Sequence, residues 1–292
     1  MNNKVILCLL VAIFIFVGCK NETNMMSIPF YTKSNKNNKS LVKIKVAVDM
    51  KIKPKKELIF VVDTGADESL VCKSGIEKIF GTTENYWKSI EEFGISKNEM
   101  EELGAWALVE NIDIRIGHKT FTDSKICFAP NIEWVCDGVL SYKFFLENYE
   151  RITFDFKSKK LVLNGEPIEK EIVPLIYGKN LKDYSDQTLG EYPFIPIEIN
   201  GKTYYAGLDT GLSTTYEKQI CAPNDIVLDE KIEVDIGSEK FENVVVERYK
   251  NFYFPFESLT TTVCRKKISL PNAFFQNHRI QLDFENMTFA MD

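Results

Sequence analysis

Histidine is nearly absent from the 292-residue sequence, which contains only His118 and His278. The sequence also has no HExxH motif, no CxxC pair and no GxSxG motif. A metal site built from histidines is therefore not expected, because such a site needs several imidazoles. A serine or cysteine hydrolase would need one of the two histidines as its base, and neither lies in a recognisable nucleophile motif.

Basic residues are also fewer than acidic ones. The chain has 36 Lys and Arg against 42 Asp and Glu, which gives a net charge of −6 at pH 7. No basic stripe is present that could neutralise phosphates, so we do not expect a nucleic-acid partner. The apolar and charged fractions are those of an ordinary globular protein, and the length suffices for one large domain or two modest ones.

The N-terminal segment holds an apolar run, residues 5–17, that is too short to span a bilayer comfortably. The run ends in FVGC, which resembles a bacterial lipobox with Phe16 where leucine is usual. This resemblance predicts a lipoprotein signal peptide over 1–18, lipidation of Cys19, and a lipid-anchored location in the bacterial cell envelope, outside the cytoplasm. The alternatives are a plain secretory signal and a short membrane anchor. Residues 19–40 are rich in Asn, Lys and Ser, which predicts a flexible tether.

Five cysteines remain once Cys8 is removed with the signal peptide and Cys19 is lipidated: Cys72, Cys127, Cys136, Cys221 and Cys264. An exported protein with these thiols has candidate disulfides between Cys72 and either Cys127 or Cys136, and between Cys221 and Cys264. Buried free thiols are the alternative. The spacing does not decide between them.

Three tracts occur twice in the same order, which indicates a duplication and hence two similar lobes. They are IFVVDTGADES (59–69) and YYAGLDTGLST (204–214), IDIRIGHKTF (112–121) and IEVDIGSEKF (232–241), and the tracts 144–163 and 274–291, which each begin with a Phe pair. Alternating segments at 42–48 and 194–199 and the apolar run at 58–62 predict strands, and Asn200-Gly201 predicts a hairpin turn. The chain is therefore predicted to be mostly β.

The first half has an additional acidic segment, residues 84–104. Its apolar residues Trp87, Ile90 and Phe93 have roughly helical spacing, which predicts a surface helix or helical insertion. A lid over a cleft is the bolder interpretation. Residues 166–190 are predicted to connect the two halves.

The Asp-Thr-Gly triplet ends an apolar strand in both halves. A carboxylate at a strand end can face a cleft, a threonine hydroxyl can tie its loop to another backbone, and glycine lets a second chain come close. A single such triplet is commonly an Asx-turn. Two copies on duplicated strands favour a joint role instead.

The residues VVDTGA at 61–66 resemble the active-site motif of retropepsin-like and pepsin-like aspartic proteases, in their fused two-lobe form. The second copy, GLDTGL at 207–212, matches at the triplet and has Leu212 where the family has Ala or Ser. CDGVLSYKFF (136–145) and SLPNAFF (269–275) resemble later family segments, with Ser141 and Pro271 in place of glycine. The likeness covers about residues 41–292.

The resemblance implies a mostly β fold of two similar acid-protease β-barrel lobes with a cleft between them. The N-terminal lobe would span 41–165, the connector 166–190 and the C-terminal lobe 191–292. The chain would be a monomer whose lobes form a pseudo-dimer. Asp155 and Asp283, in the closing Asp-Phe strands, are predicted to be structural.

The implied function is that of a membrane-tethered aspartic endopeptidase that acts on a peptide or protein substrate without a metal or cofactor. Asp63 and Asp209 would activate one water molecule between their carboxyl groups. Thr64 and Thr210 would tie the two loops together, while Gly65 and Gly211 would permit the tight geometry. The alternative is a catalytically weak or inactive lipoprotein that binds a peptide or another ligand in the cleft. Leu212, Ser141 and Pro271 motivate this alternative.

Overall fold

The computed structural model describes residues 25–32, 41–50, 53–66, 68–92, 107–181, 192–212, 216, 218–223, 226–248 and 268–292. The strands of the first half are β1 (Met26–Pro29), β2 (Lys43–Asp49), β3 (Lys56–Asp63), β4 (Leu70–Cys72), β5 (Ala107–Ile116), β6 (Lys119–Ala129), β7 (Gly138–Ser141), β8 (Arg151–Asp155) and β9 (Lys160–Leu163). Those of the second half are β10 (Ile172–Pro174), β11 (Ile176–Tyr177), β12 (Pro193–Ile199), β13 (Lys202–Asp209), β14 (Gln219–Ala222), β15 (Lys231–Ile236), β16 (Glu239–Arg248), β17 (Ile268–Pro271), β18 (Arg279–Asp283) and β19 (Thr288–Met291). The helices are α1 (Lys73–Phe80), α2 (Thr83–Glu92) and α3 (Tyr142–Asn148), with 3₁₀ turns at Gly178–Asn180 and Asn272–Phe275.

Two closed six-stranded β-barrels form the lobes. The N-terminal barrel has the strand order β2-β3-β7-β4-β6-β5, and the C-terminal barrel has the order β12-β13-β17-β14-β16-β15, closed by pairing of β12 with β15. The two orders correspond strand for strand, including the parallel pairs β3–β7 and β13–β17. The mostly β, two-lobed fold and the duplication predicted from the repeated tracts are therefore confirmed.

Both Asp-Thr-Gly tracts lie on strands that are buried on both faces where they approach the triplet. Phe60, Val61 and Val62 are fully buried in β3, and Ala206 and Leu208 are buried in β13. A continuous apolar run suits a strand that is covered on both sides, since no side chain then needs to face water. Each barrel interior thus fixes the strand that leads to the aspartate.

The predicted hairpin turns are present. Asn200 and Gly201, between β12 and β13, both have positive φ, at 52° and 73°. This is the combination that a two-residue type I′ turn requires, and Asn-Gly adopts it at low cost. Gly117 and Gly237 occupy equivalent turns of the two barrels, with φ of 58° and 60°.

A third sheet joins the lobes, with the order β1-β9-β8-β18-β19-β10. Each half supplies three of its strands, and the central pair is β8 with β18. The Gln281 amide donates to the Thr153 hydroxyl across this pair at 2.8 Å and accepts from the Ile168 N–H at 3.0 Å. The sheet therefore fixes the position of one barrel relative to the other.

The tether prediction is wrong for part of its range, because Met26–Pro29 is strand β1 and pairs with β9. Met26, Ile28 and Phe30 are buried, so the folded region begins well before residue 41. A four-residue strand surrounded by Asn and Lys is too short to alter the composition from which the tether was inferred. The predicted signal peptide (1–18), the candidate lipidation residue Cys19 and the remaining tether segments 19–24 and 33–40 lie outside the described residues.

The connector predicted over 166–190 contains two strands, β10 and β11. Its strand β10 completes the joining sheet, and β11 pairs with the edge of the C-terminal barrel. Residues 182–191 lie outside the described part of the chain.

A helix is confirmed in the first half of the additional segment, where α2 covers 83–92. Tyr86 is fully buried and stacks on Phe128, while Trp87 is partly buried against the core. Residues 93–106 lie outside the described residues, so the lid interpretation stays a prediction. Among the described residues, no helix combines the length and apolar character that a bilayer crossing requires.

Candidate active site

The two aspartates of the repeated triplets end equivalent strands, Asp63 on β3 and Asp209 on β13. Each side chain is 8% exposed, so both carboxyl groups are largely shielded from solvent. Parallel pairing of Asp63 with Ser141 and of Asp209 with Pro271 anchors the two strand ends in their barrels. The aspartates therefore stand on rigid elements of the two lobes.

Thr64 and Thr210 connect the two loops by four hydrogen bonds. The Thr64 N–H donates to the Thr210 hydroxyl at 2.9 Å, and the Thr210 N–H donates to the Thr64 hydroxyl at 3.1 Å. The Thr64 hydroxyl donates to the Leu208 carbonyl at 2.7 Å, and the Thr210 hydroxyl donates to the Val62 carbonyl at 2.8 Å. Both threonines are buried, so these bonds do not compete with water. Thr64 and Thr210 therefore tie the two loops to each other.

Each glycine of the triplets lies against the aspartate of the other lobe. A Cβ atom added to Gly65 would lie 2.5 Å from Asp209 Oδ1, and one added to Gly211 would lie 2.1 Å from Asp63 Cγ. The Gly65 N–H also donates to Asp63 Oδ1 at 2.7 Å. Both carboxyl groups therefore contact Gly65, one by a hydrogen bond and the other by packing. The triplets bring the two acids to the same place between the lobes.

Leu212, which departs from the family pattern, leaves the turn unchanged. The Leu212 N–H donates to the Asp209 carbonyl at 3.3 Å, as the Ala66 N–H does to the Asp63 carbonyl at 3.3 Å. Leu212 is buried, with 7% of its surface exposed. The larger side chain is therefore accommodated without a change in the loop that carries Asp209.

Ser141 and Pro271, which replace the family's glycine, have nearly identical backbone angles. Ser141 has φ −75° and ψ 165°, and Pro271 has φ −78° and ψ 164°. Ser141 caps α3 by accepting from the Phe144 N–H, and its own N–H donates to the Ser69 hydroxyl at 3.0 Å. The proline ring requires a φ that this position already has. Pro271 therefore leaves the backbone of the second lobe as Ser141 has it in the first.

We expect Pro271→Gly, which introduces the glycine usual in aspartic proteases, to leave the peptide cleavage proposed below unchanged. Glycine adopts the observed φ without strain but increases the freedom of the unfolded chain, so unfolding should become easier by about 1 kcal/mol. Urea denaturation and a cleavage assay measure the two quantities separately. A large gain in activity would show that the proline does distort the site.

Sequence reasoning missed two residues that support the second loop. The Asn272 amide donates to the Thr210 carbonyl at 2.6 Å, and the Tyr192 hydroxyl donates to the Leu208 carbonyl at 2.7 Å. Asn272 lies in the SLPNAFF segment, where its adjacency to Pro271 was the available signal. No pattern in the sequence marks Tyr192.

Asp155 and Asp283 make turn contacts, as predicted. Asp155 accepts from the Ser158 N–H at 2.8 Å. Asp283 accepts from both the N–H and the side-chain amide of Asn286, at 2.8 and 2.9 Å. Within the described ranges, no group of three or more His, Cys, Asp or Glu residues gathers as it would around a metal ion.

Comparison of the chain with models of known protein families gives no match, and comparison with curated proteins gives none. The likeness to aspartic proteases therefore depends on the residues and geometry described above.

Proposed function

We propose that the protein is an aspartic endopeptidase that hydrolyses peptide bonds with Asp63 and Asp209. The observation that carries the proposal is the reciprocal pair of bonds between Thr64 and Thr210, which holds the two aspartate loops against each other. Burying two carboxyl groups at this junction costs folding free energy. The barrels do not need these acids for stability, so a chemical role accounts for them better.

The chemistry follows from the proximity of two carboxyl groups. Two such groups do not both ionise readily, so they share a proton over a wide range of pH. The ionised member takes a proton from a bound water, which attacks the peptide carbonyl, and the protonated member donates to the carbonyl oxygen. The pair then protonates the leaving nitrogen. Aspartic proteases are the reference case for this arrangement.

The Gly65 N–H has a defined part in this scheme. Its bond to Asp63 Oδ1 stabilises negative charge on that carboxyl group. A carboxylate at Asp63 is thus stabilised while Asp209 donates a proton to the carbonyl oxygen, and the chemistry works equally with the two roles exchanged. No cofactor is needed for these steps.

The expected setting is a lipid anchor at Cys19 that holds the enzyme in the bacterial cell envelope, outside the cytoplasm. This part of the proposal comes from the lipobox resemblance alone. Metabolic labelling with a radioactive fatty acid tests it: we expect label on the wild type and none on Cys19→Ser.

The proposal is tested by incubating the chain with a diverse peptide pool from acid to neutral pH and identifying products by mass spectrometry. We expect internal cleavage with a bell-shaped dependence on pH, because one carboxyl group must be ionised and the other protonated. Peptide binding without products at any pH would instead favour the alternative, a two-lobed binding protein.

A further inference from the structure

Two cysteine side chains lie together in a buried cluster of the N-terminal lobe. Cys72 ends β4 and directly precedes α1, and Cys136 lies in the segment before β7. The Cys72 N–H donates to the Asp137 carbonyl at 2.8 Å, which continues the antiparallel pairing of β4 with β7. This bond places Cys72 opposite Asp137, the residue that follows Cys136. The two thiols interact by a hydrogen bond within the same buried cluster. Cys127, the other candidate partner of Cys72, lies on β6, where it pairs in register with Leu70 of β4.

The barrel fold does not require a thiol at the position of Cys72. The C-terminal lobe is built from the equivalent strands β14 and β17. In the same register, Pro223 occupies the position equivalent to Cys72. The second barrel therefore closes without sulfur at that place.

A cavity gives access to one member of the pair. It has a volume of about 540 Å³ and is lined by Cys136 and by residues that include Tyr31, Lys43, Ile59 and Asp137. Cys72 is not among its lining residues. A small reagent that enters the cavity therefore meets Cys136 first, with Cys72 behind it.

The surroundings also distinguish the two thiols chemically. The hydrogen bond from Cys72 lowers the pKa of Cys136, and the backbone N–H groups of Gly138 and Val61 act in the same direction. The same thiol–thiol bond, together with burial, raises the pKa of Cys72. The thiolate is the nucleophile in disulfide exchange, so Cys136 is the attacking residue and Cys72 the resolving one.

We propose that Cys72 and Cys136 form a redox modification site that a small disulfide, such as oxidised glutathione, converts to a disulfide bond. The Cys136 thiolate attacks one sulfur of the oxidant and releases one thiol, leaving a mixed disulfide. Cys72 then loses its proton and attacks the Cys136 sulfur, which releases the second thiol. The protein loses two hydrogens, and the oxidant is reduced to two thiols. An oxidising compartment outside the cytoplasm would favour the bonded form.

The bond would link the start of α1 to the segment that leads into β7, and β7 ends at Ser141 beside Asp63. It closes a loop between residues 64 positions apart in the sequence. A loop of that length restricts the unfolded chain substantially, so we expect oxidation to raise the melting temperature by about 5–10 °C. The site is independent of the proposed protease activity.

The test uses the chain purified in reduced form and incubated with oxidised glutathione. We expect a linked Cys72–Cys136 peptide after digestion without reductant, two hydrogens lighter than its two reduced parts, and the rise in melting temperature. Cys72→Ser should instead retain one glutathione on Cys136, because the resolving thiol is absent. Cys127→Ser serves as the matched control, because it should give the same Cys72–Cys136 peptide as the wild type.

Three outcomes would overturn the proposal. They are a linked peptide that joins Cys72 to Cys127, unmodified Cys72 and Cys136 after prolonged incubation, and a glutathione adduct on Cys72 in the wild type. Circular dichroism of each variant shows whether it is folded. The mass change in the wild type needs no variant, so it tests the site even if a serine substitution prevents folding.

Discussion

Asp63→Asn and Asp209→Asn should each reduce peptide cleavage by about 10³-fold or more while leaving the protein folded. Asparagine has nearly the shape of aspartate, and its oxygen can still accept the Gly65 N–H that Asp63 accepts in the wild type. It cannot, however, take a proton from water or share one with the opposite acid. The loss should therefore appear in kcat rather than in peptide binding.

Although these variants should lose activity, we expect them to be at least as stable as the wild type. Each substitution replaces one of two acids that are largely shielded from solvent with a neutral amide, and so it removes the cost of keeping a charged carboxyl pair away from water. We expect a melting temperature equal to or above that of the wild type, measured by calorimetry at neutral pH.

Asp155→Asn is the matched control, because it makes the same chemical change at a residue whose carboxylate accepts a turn N–H. It should retain cleavage. If either dyad variant kept wild-type cleavage, the two aspartates could not be the catalytic pair. Equal losses in all three variants would point to a general effect of lost charge.

The two-lobed architecture could be predicted from the sequence because three tracts occur twice in the same order. Hydrophobic strands that end in Asp-Thr-Gly, hairpins that turn at Gly117 and Gly237, and equivalent closing strands all recur at matched positions. Local patterns of this kind determine strand and turn structure. Strand β1 was missed because its partner β9 lies more than a hundred residues away. Nothing local distinguishes Met26–Pro29 from the polar segments around it.

The positions of the two aspartates at strand ends follow from the same repeats. The residues that hold the second loop, Tyr192 and Asn272, were not predicted. Tyr192 reaches the Leu208 carbonyl because it directly precedes β12, which pairs with β13, and no sequence pattern marks this contact. Pro271 motivated the alternative of a weak or inactive protein, because proline fixes φ and removes an N–H donor. The structure shows that the position already has a proline-compatible φ in both lobes, which a sequence does not reveal.

The hydroxyls of Thr64 and Thr210 should contribute unequally to the free energy of unfolding. Thr210→Val should lower it more than Thr64→Val. Valine keeps the shape of threonine and removes only the hydroxyl. Thr210→Val leaves the buried Thr64 N–H without its acceptor and takes the hydroxyl donor from the Val62 carbonyl. Unsatisfied buried groups cost about 1–3 kcal/mol each, so we expect a loss of about 2–5 kcal/mol in the free energy of unfolding.

Thr64→Val should cost less, about 1–3 kcal/mol, because the Leu208 carbonyl keeps the Tyr192 hydroxyl as a donor and only the Thr210 N–H loses its partner. Thr64→Ser and Thr210→Ser retain the hydroxyl and serve as matched controls close to the wild type. Urea denaturation of the four variants and of the double valine variant measures the free energies of unfolding. A larger loss for Thr64→Val than for Thr210→Val would contradict this asymmetry, and additive losses in the double variant would contradict a reciprocal network, whose members share their bonds.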